Sequence, residues 1–307
     1  MRRRPSLTLA ILATLLLGGC ASVERPAGDA GYAIDDAHAS GAHSSRVRYL
    51  VLHYTDEDEA TSLEILTGPH VSAHYLIPRH PDRDLGAPRV YRLVDESRRA
   101  WHAGASAWAG RRHLNDTSLG IELVNAGPDH LPDASAGDGP VTWASFPDAQ
   151  IDALIALLED VIARHDIAPT DVLGHAEIAP TRKIDPGPAF PWQRLYAAGI
   201  GTWPAPADVV RFRRAFAAGP PTLAVLQRAL AAWGYAVTPS GELDSATQGA
   251  LRAFQMRYRP NDYRGQPDAD TAARLWALLA RYRPEALSDP ALAWPASTPG
   301  ATPAPRG

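Results

Sequence analysis

A short segment of the chain combines residue types that could bind a metal ion. It runs from Gly174 to Gly187, reads GHAEIAPTRKIDPG, and contains His175, Lys183 and Asp185. Its two prolines each remove a backbone donor and fix φ, so we predict a rigid loop rather than a helix. A loop constrained in this way can direct an imidazole and a carboxylate to one point, as a metal site requires. One histidine and one aspartate are weak evidence by themselves, and a third ligand must come from elsewhere.

His53 is the candidate for that third ligand. It follows the apolar run from Tyr49 to Leu52. A near-continuous apolar run predicts a central strand buried on both faces, with His53 at its carboxyl end, where functional groups are commonly displayed. Two histidines and an aspartate would leave a fourth position on a metal ion for water, as catalytic metal sites do.

Glu122 is a candidate site residue because of where its charge lies in the sequence. It is the charged residue within LGIELV, an otherwise apolar stretch from Leu119 to Val124 that reads as another strand. A carboxylate inside such a strand is costly unless it is paired, hydrogen-bonded or facing a cavity. We therefore expect Glu122 to belong to a functional site on physical grounds alone.

The elements that must position these residues indicate an α/β fold. Residues 73–77 and 90–94 read as further strands, and apolar residues at spacings of three and four predict a helix over 148–164. Asp148 or Ser145 could cap that helix. We predict a central mixed β-sheet flanked by helices. Helical patterns within 222–282 predict a small C-terminal three-helix domain in addition.

The N-terminus has the pattern of a bacterial export signal. Three arginines precede an apolar run from Leu7 to Leu17, which is too short to span a bilayer. The run leads into LGGC, which resembles a lipobox, where Cys20 would be lipidated and become the new amino terminus. Ala21 follows, rather than aspartate, and this resembles the sorting pattern of Gram-negative outer-membrane lipoproteins. We expect a lipoprotein anchored by Cys20 in the outer membrane and facing the periplasm, where peptidoglycan is abundant.

Composition bears on the remaining classes of partner. The chain of 307 residues has a net charge of −4 and lacks a long basic stripe, so we expect no nucleic-acid partner. Its single cysteine cannot form an internal disulfide, and its position fits lipidation better than a redox role.

Five segments, taken in order, carry a specific resemblance. LHYT, SAHYLI, AWHAG, SLGIELVN and GHAEIAPTRKIDPGPAFPW resemble the zinc-dependent N-acetylmuramoyl-L-alanine amidases of the amidase type 2 group. This group is related to the peptidoglycan-recognition proteins and to the phage T7 lysozyme. The resemblance covers roughly residues 46–195, and the lipobox matches the envelope lipoprotein members better than the cytoplasmic recycling members.

The resemblance implies a role for each candidate residue. It makes His53, His175 and Asp185 the Zn²⁺ ligands, Glu122 the general base, and Lys183 the group that stabilises developing negative charge. The bond cut would join the lactyl carboxyl of N-acetylmuramic acid to L-alanine of the stem peptide. Whether intact muramic acid, its 1,6-anhydro form or both are accepted stays open.

Other polar residues near these motifs are candidate substrate contacts. His102 belongs to AWHAG, a motif close to the rim of the active site in this family, and Tyr54 and Asn125 are predicted to bind substrate with it. The family pattern places no ligand at His74. We expect His74 to be a strand histidine with satisfied hydrogen bonds.

The C-terminal part resembles a second family. The sequences LQRALAAWGYAV and GELDSATQGALRAFQMRY resemble the small three-helix peptidoglycan-binding domain attached to many wall hydrolases. A bundle that merely packs on the amidase is the alternative. If wall binding is its role, removing it should leave cleavage of soluble muropeptides intact, unless Trp233 and Trp276 pack against the amidase.

These assignments divide the chain into six segments. They are the signal peptide (1–20), a flexible tether (21–45), the zinc amidase domain (46–200), a linker (201–221), the peptidoglycan-binding domain (222–284) and a disordered tail (285–307).

The function predicted from the sequence is that of a monomeric zinc amidase acting on peptidoglycan and muropeptides in cell-wall turnover or recycling. Two alternatives stay open: a non-catalytic peptidoglycan-binding protein, and a zinc endopeptidase of the wall. Competent residues at all the implied ligand and catalytic positions favour an enzyme. Only product analysis separates an amidase from an endopeptidase.

Overall fold

The structure is a computed structural model that describes residues 35–130, 141–217 and 219–293. The predicted signal peptide, with Cys20, lies outside the described residues. Residues 35–44, within the predicted tether, are exposed and contain no helix or strand. In the described ranges no helix has both the length and the apolar character needed to cross a membrane.

A five-stranded mixed β-sheet forms the centre of the fold. The strands in the described residues are β1 (Tyr49–Tyr54), β2 (Tyr75–Ile77), β3 (Tyr91–Arg92), β4 (Ala107–Trp108), β5 (Arg111–Arg112), β6 (Ser118–Leu123) and β7 (Val172–Gly174). The sheet has the order β3-β2-β6-β1-β7, with β3 antiparallel to β2 and the other pairs parallel. Strands β4 and β5 form a separate hairpin. The predicted mixed sheet is confirmed.

Helices surround this sheet and make up the C-terminal part. They are α1 (Glu59–Leu66), α2 (Asp148–His165), α3 (His175–Ile178), α4 (Trp192–Ala197), α5 (Pro206–Ala217), α6 (Leu223–Trp233), α7 (Ser245–Tyr258) and α8 (Ala269–Tyr282). Helices α2, α6, α7 and α8 lie where the apolar spacing predicts them. The predicted caps of α2 are wrong, because its N-cap is Pro147 and no side chain caps it.

Alternation along β1 divides its residues between two hydrophobic cores. Leu50 and Leu52 pack in one core with α2. Tyr49 and Val51 belong to the opposite core, which also contains residues of α5 to α8. Because side chains alternate along a strand, His53 continues the face of Tyr49 and Val51. The candidate ligand therefore emerges on the side of the sheet that the C-terminal helices cover.

The amidase part and the C-terminal helices share that second core. Trp108 of β4 packs on Gly234, where a Cβ would lie 2.6 Å from the indole, and its ring lies 5.0 Å from the Tyr235 ring. Trp233 and Trp276 are fully buried in the same core. The C-terminal helices therefore pack against the amidase part.

The linker predicted for 201–221 is wrong over most of its length. Pro206–Ala217 forms α5, which packs against α8 and buries Val209, Phe212 and Phe216. The spacing of three and four between these apolar residues was the missed signal.

The disordered tail predicted from residue 285 is also wrong at its start. Pro284–Ser288 forms a 3₁₀ helix. Leu292 is buried, and its carbonyl accepts the indole N–H of Trp276 at 3.1 Å. Residues 294–307 lie outside the described part of the chain.

Candidate active site

Adjacent parallel strands bring the predicted site residues to one edge of the sheet. His53 of β1 pairs in register with Glu122 of β6. Leu52 pairs with Gly174 of β7, the residue before His175. The carboxyl ends of parallel strands meet at one edge, so residues far apart in sequence converge there.

The ligand atoms of His53, His175 and Asp185 converge on one point. The two Nδ1 atoms lie 3.0 Å apart, and each lies 3.1 Å from Oδ2 of Asp185. Ligand atoms held about 2.0–2.1 Å from a tetrahedral zinc ion lie about 3.3 Å from one another, so the observed triangle is close to the required size. All three side chains are buried. The donor set and its spacing therefore fit a zinc ion.

His175 opens α3, so the segment predicted as a loop begins with one helical turn. The carbonyl of Asp185 accepts the N–H of Ala176 at 2.8 Å, which links the two ligands of this segment through the backbone. Beyond α3 the segment is irregular, as its prolines predict.

The AWHAG segment contacts the second ring nitrogen of both candidate histidine ligands. Nε2 of His53 lies 3.1 Å from Nδ1 of His102, and Nε2 of His175 lies 3.3 Å from the carbonyl oxygen of Ala103. A metal ion bound through each Nδ1 would place the imidazole proton on each Nε2, which would then donate in these contacts. Oδ1 of Asn115 accepts the backbone N–H groups of His102 and Ala103 at 3.2 and 2.8 Å. The segment therefore fixes both imidazole rings.

One face of β6 supports His102 and presents Glu122. Nε2 of His102 lies 3.1 Å from Oγ of Ser118, and that hydroxyl donates to the carbonyl of Leu114 at 2.7 Å. Gly120 provides room for the imidazole, since a Cβ there would lie 2.3 Å from Cγ of His102. Ser118, Gly120 and Glu122 alternate along the strand and so face the same side.

One oxygen of Glu122, Oε2, is buried and has no hydrogen-bond partner among the described residues. Burial, followed by the negative charge of Asp185, raises the pKa of Glu122 well above its usual range, and Lys183 opposes that shift. A carboxylate with a high affinity for a proton, placed at a cavity, is suited to general base catalysis.

The pKa values of two candidate ligands, His53 and Asp185, reflect burial and their neighbours. Burial, with the charge of His175, lowers the pKa of His53 to about 4. Burial raises the pKa of Asp185, but His175 and His53 outweigh it and hold the pKa of this carboxyl below its usual range. A neutral imidazole and an ionised carboxylate are the forms that bind metal.

A cavity of about 340 Å³ opens over the site. Its lining includes the three candidate ligands together with Glu122 and Lys183. Exposed apolar side chains also line it, namely Ile65, Val71 and Trp101. Apolar walls with a few convergent polar groups are typical of a site for a small ligand.

Comparison with known proteins places this site in a family. The family model for N-acetylmuramoyl-L-alanine amidase matches residues 43–188, and the model for the peptidoglycan binding domain matches residues 220–275. The N-acetylmuramoyl-L-alanine amidase AmiD of Escherichia coli strain K12 is 45% identical over 274 residues, which cover 89% of this chain and 96% of that protein. The chain belongs to the N-acetylmuramoyl-L-alanine amidase family.

Solved structures of the amidase family agree with this assignment. The complex of AmiD from E. coli with anhydro-N-acetylmuramic acid-L-Ala-D-γ-Glu-L-Lys matches with a TM-score of 0.73 at 45% identity, covering 82% of this chain and 96% of that chain. AmpDh3 from Pseudomonas aeruginosa, in complex with an anhydromuramic pentapeptide, matches with a TM-score of 0.73 at 42% identity, covering 81% and 98%. The fold, enzyme class and zinc dependence predicted from the five motifs are confirmed, as is the family of the C-terminal helices.

One predicted substrate contact of the amidase does not line the cavity. Asn125 is buried, and its Nδ2 donates to the carbonyls of Ala144 and Ser145 at 3.3 and 3.0 Å. Its Oδ1 accepts the N–H of Gly127 at 2.8 Å. The prediction for Asn125 is wrong, because its amide holds the surrounding loops together.

The other two predicted contacts do line the cavity. Tyr54 packs edge-on against Trp143, with the ring centres 6.4 Å apart. His102 has both ring nitrogens engaged, by His53 and Ser118. This leaves His102 no nitrogen for substrate and indicates that it holds His53 in place.

Sequence reasoning missed several residues around the amidase site. Asn115 and Ser118 were not singled out, although Ser118 lies on the same face of β6 as Glu122. Arg182 was also missed, and its Nη2 donates to the carbonyls of Ala103 and Ala105 at 2.9 and 3.2 Å.

His74 precedes β2 and does not lie within a strand, but its ring is satisfied by hydrogen bonds as predicted. Its Nδ1 accepts the N–H of Gly120 at 3.0 Å, and its Nε2 lies 3.2 Å from the carbonyl oxygen of Arg98. Both ring nitrogens are therefore used, and neither is left for a metal ion.

Proposed function

We propose that this protein hydrolyses the amide bond between the lactyl carboxyl of N-acetylmuramic acid and L-alanine of the peptidoglycan stem peptide. The observation that carries the proposal is the convergence of His53, His175 and Asp185 in a cavity that Glu122 also lines. The anhydromuramic peptides bound to two solved relatives support this substrate class, including its 1,6-anhydro form.

The residues of the site divide the chemistry between them. Zinc held by His53, His175 and Asp185 would supply Lewis-acid activation of water and of the amide carbonyl at neutral pH. Glu122 accepts the proton that water loses as its oxygen bonds to the carbonyl carbon. Glu122 then passes this proton to the leaving nitrogen as the C–N bond breaks. The ammonium of Lys183 stabilises the negative charge that develops on the carbonyl oxygen. The products are a muramic carboxylate and a stem peptide with a free amino-terminal alanine.

Product analysis tests this function. Incubation with an anhydromuramyl tripeptide should release the intact tripeptide and the anhydro sugar, both identified by mass spectrometry. Dialysis against a chelator should abolish the reaction, and added zinc should restore it. The reason is that the three ligands form a single zinc site with an open coordination position. Running the intact muramyl peptide in parallel determines which form of the sugar is accepted.

Each alternative has its own signature in that experiment. Cleavage within the peptide would identify an endopeptidase. Peptidoglycan binding without any cleavage would identify a non-catalytic protein. Full activity in protein shown to be metal-free would exclude a zinc mechanism.

His102 has a positioning role in this proposal, and His102→Ala is expected to weaken zinc binding by about 10–100-fold. Without its Nδ1, the N–H of His53 loses its acceptor and the ring loses its fixed orientation. Gly120→Ala should act in the same direction, because the new Cβ would displace the His102 ring. Competition with a chromophoric chelator measures the zinc affinity.

A matched control is His165→Ala. His165 is partly buried and bound to Glu96 at 2.7 Å, but it contacts none of the ligands. Its variant should bind zinc as the wild type does. Wild-type zinc affinity in His102→Ala would show that His53 does not depend on this ring.

The amino-terminal sequence supports anchoring of the enzyme at the outer membrane. The arginines, the apolar run and the sequence LGGC together fit lipidation at Cys20. Ala21, in place of aspartate, fits sorting of the lipoprotein to the outer membrane. The lipid would hold a monomeric enzyme on the periplasmic face of that membrane, beside its substrate. The mass of the mature amino terminus tests lipidation. Fractionation of cells carrying Cys20→Ala tests membrane anchoring, and light scattering measures the oligomeric state. An unmodified, soluble wild type or a stable dimer would contradict these assignments.

A further inference from the structure

A buried ion pair joins the C-terminal helices to the segment that carries two candidate zinc ligands. Nη1 of Arg257 in α7 lies 2.7 Å from Oε2 of Glu177 in α3, and each side chain is 3% exposed. The same Nη1 donates to the carbonyl of Val172 at 2.9 Å, and the guanidinium lies 3.9 Å from the centre of the Trp192 ring. Removing two charges from water is costly, so such a pair is weak evidence for stability by itself and suggests another role.

Glu177 lies where it can hold the turn that delivers His175. Its Oε2 also accepts the N–H of Gly174 at 2.8 Å. Val172 and Gly174 belong to β7, and Glu177 belongs to α3, so the bonds of Arg257 and Glu177 fall on both sides of His175. The pair therefore fixes the backbone on which one zinc ligand is mounted.

Another contact of α7 falls on the same segment, at Pro180. Gly249 approaches so closely that a Cβ would lie 2.6 Å from the carbonyl oxygen of Pro180. Glycine is disfavoured in the middle of a helix, and this close approach accounts for its presence.

A further contact lies just after the ligand Asp185. The indole N–H of Trp143 donates to the hydroxyl of Tyr263 at 2.9 Å. The ring of Trp143 in turn packs on Gly187, where a Cβ would lie 2.3 Å from it. The C-terminal part thus contacts the segment from Gly174 to Gly187 directly near its start and middle, and through Trp143 at its end.

We propose that Arg257 and Glu177 are positioning residues of the zinc site, through which the C-terminal helices raise its affinity for metal. In this view the C-terminal helices contribute to the metal centre in addition to any contact with the wall. The inference rests on the proposed function, because it takes His175 to be a zinc ligand.

Arg257→Met is the first test. It keeps most of the side-chain volume but removes the charge and the bond to Val172, so the buried Glu177 loses its ion-pair partner and keeps only the N–H of Gly174. We expect the dissociation constant for zinc to rise about 10-fold. This is the low end of the effect of residues that orient metal ligands, because the ion pair holds the backbone of His175 and does not contact its ring. Amide hydrogen exchange in a peptide covering residues 172–178 should become faster in metal-free protein. If Arg257→Met does not fold, Arg257→Lys replaces it, with smaller changes in the same direction.

Arg259→Met is a matched control on the same chain segment. Arg259 forms ion pairs with Asp262 and Asp270 at 3.0 and 3.2 Å, within the C-terminal helices. Its loss should lower thermal stability while leaving zinc affinity and exchange over residues 172–178 unchanged. A fall in zinc affinity equal to that of Arg257→Met would overturn the proposed specificity of the pair.

The double variant Arg257→Met with Glu177→Met separates positioning from stability. Replacing a buried ion pair by two apolar residues commonly restores stability. We expect Tm to recover toward wild type while zinc affinity stays low, because Gly174 has still lost its acceptor. Recovery of zinc affinity together with Tm would contradict the positioning role. Absence of stoichiometric zinc in the wild type would instead contradict the proposed function, so the two failures are distinguishable.

Discussion

Replacing Glu122 with alanine is expected to lower kcat by about 10²–10⁴-fold while zinc remains bound, since this is the usual contribution of a general base. The substitution removes the proposed general base and leaves the three candidate ligand atoms in place. Metal analysis and a hydrolysis assay on the same sample check both halves of the expectation. Loss of zinc from a normally folded variant would mean that Glu122 is a ligand.

The same variant should be no less stable than the wild type in its metal-free form. Oε2 of Glu122 is buried and meets no hydrogen-bonding group in the described part of the chain, and burial raises the pKa of this carboxyl well above its usual range. Removing an unsatisfied buried carboxyl relieves a desolvation cost. If Glu122 serves the chemistry, the variant should lose turnover while its Tm stays unchanged or rises. A marked drop in Tm would indicate a structural role for Glu122.

Two further variants complete this comparison. Lys183→Ala should also keep zinc and lose turnover, by about 10²–10³-fold, through loss of charge stabilisation at the carbonyl oxygen. Glu64→Ala, at an exposed glutamate of α1, should leave both stability and activity unchanged.

Deleting everything after Ala217 is expected to destabilise the amidase part, contrary to the expectation of a separable module. The deletion strips cover from apolar residues of the shared core, among them Trp108, Phe212 and Phe216. Each large apolar side chain returned to water costs about 1.5–3 kcal/mol. A domain is stable by only about 5–15 kcal/mol, so the exposure of several such groups outweighs most of that margin.

Thermal melting and solubility of the truncated protein measure this effect. We expect aggregation or a large fall in Tm, with loss of activity on soluble muropeptide as a consequence of unfolding. Unchanged Tm and activity would show that the amidase part folds alone. Wall binding by the C-terminal helices is therefore better measured by sacculus pull-down with point variants on their exposed surface than with a truncated chain.

Much of the candidate site could be predicted from the sequence. The apolar run of β1 located His53, and the apolar run of β6 marked Glu122 as a costly residue needing a reason. Both signals are local, because hydrophobic periodicity reports burial directly. The helices α6 to α8 were predictable for the same reason, and Asp244 caps α7 as its position indicates.

Other features could not be predicted because they depend on partners distant in sequence. The sequence shows that Asn125 and His102 can form hydrogen bonds, but not with which groups. In the structure, Asn125 forms hydrogen bonds with the loops around it, and His102 forms hydrogen bonds with His53 and Ser118. Residue type determines hydrogen-bonding capacity, whereas packing determines the partner.

The division into domains was decided by tertiary structure as well. Prolines and glycines around α5 indicated a linker, yet its apolar stripe finds a partner in α8 and joins the shared core. Arg257 looks like a surface residue in the sequence, since isolated arginines are seldom buried. It is buried because Glu177, from a distant helix, supplies the opposite charge at 2.7 Å. The sequence by itself therefore determined the central strands, several of the helices and the candidate reacting groups. Only the folded chain decided that the C-terminal helices support the segment carrying His175, because that contact exists only once both parts pack around a common core.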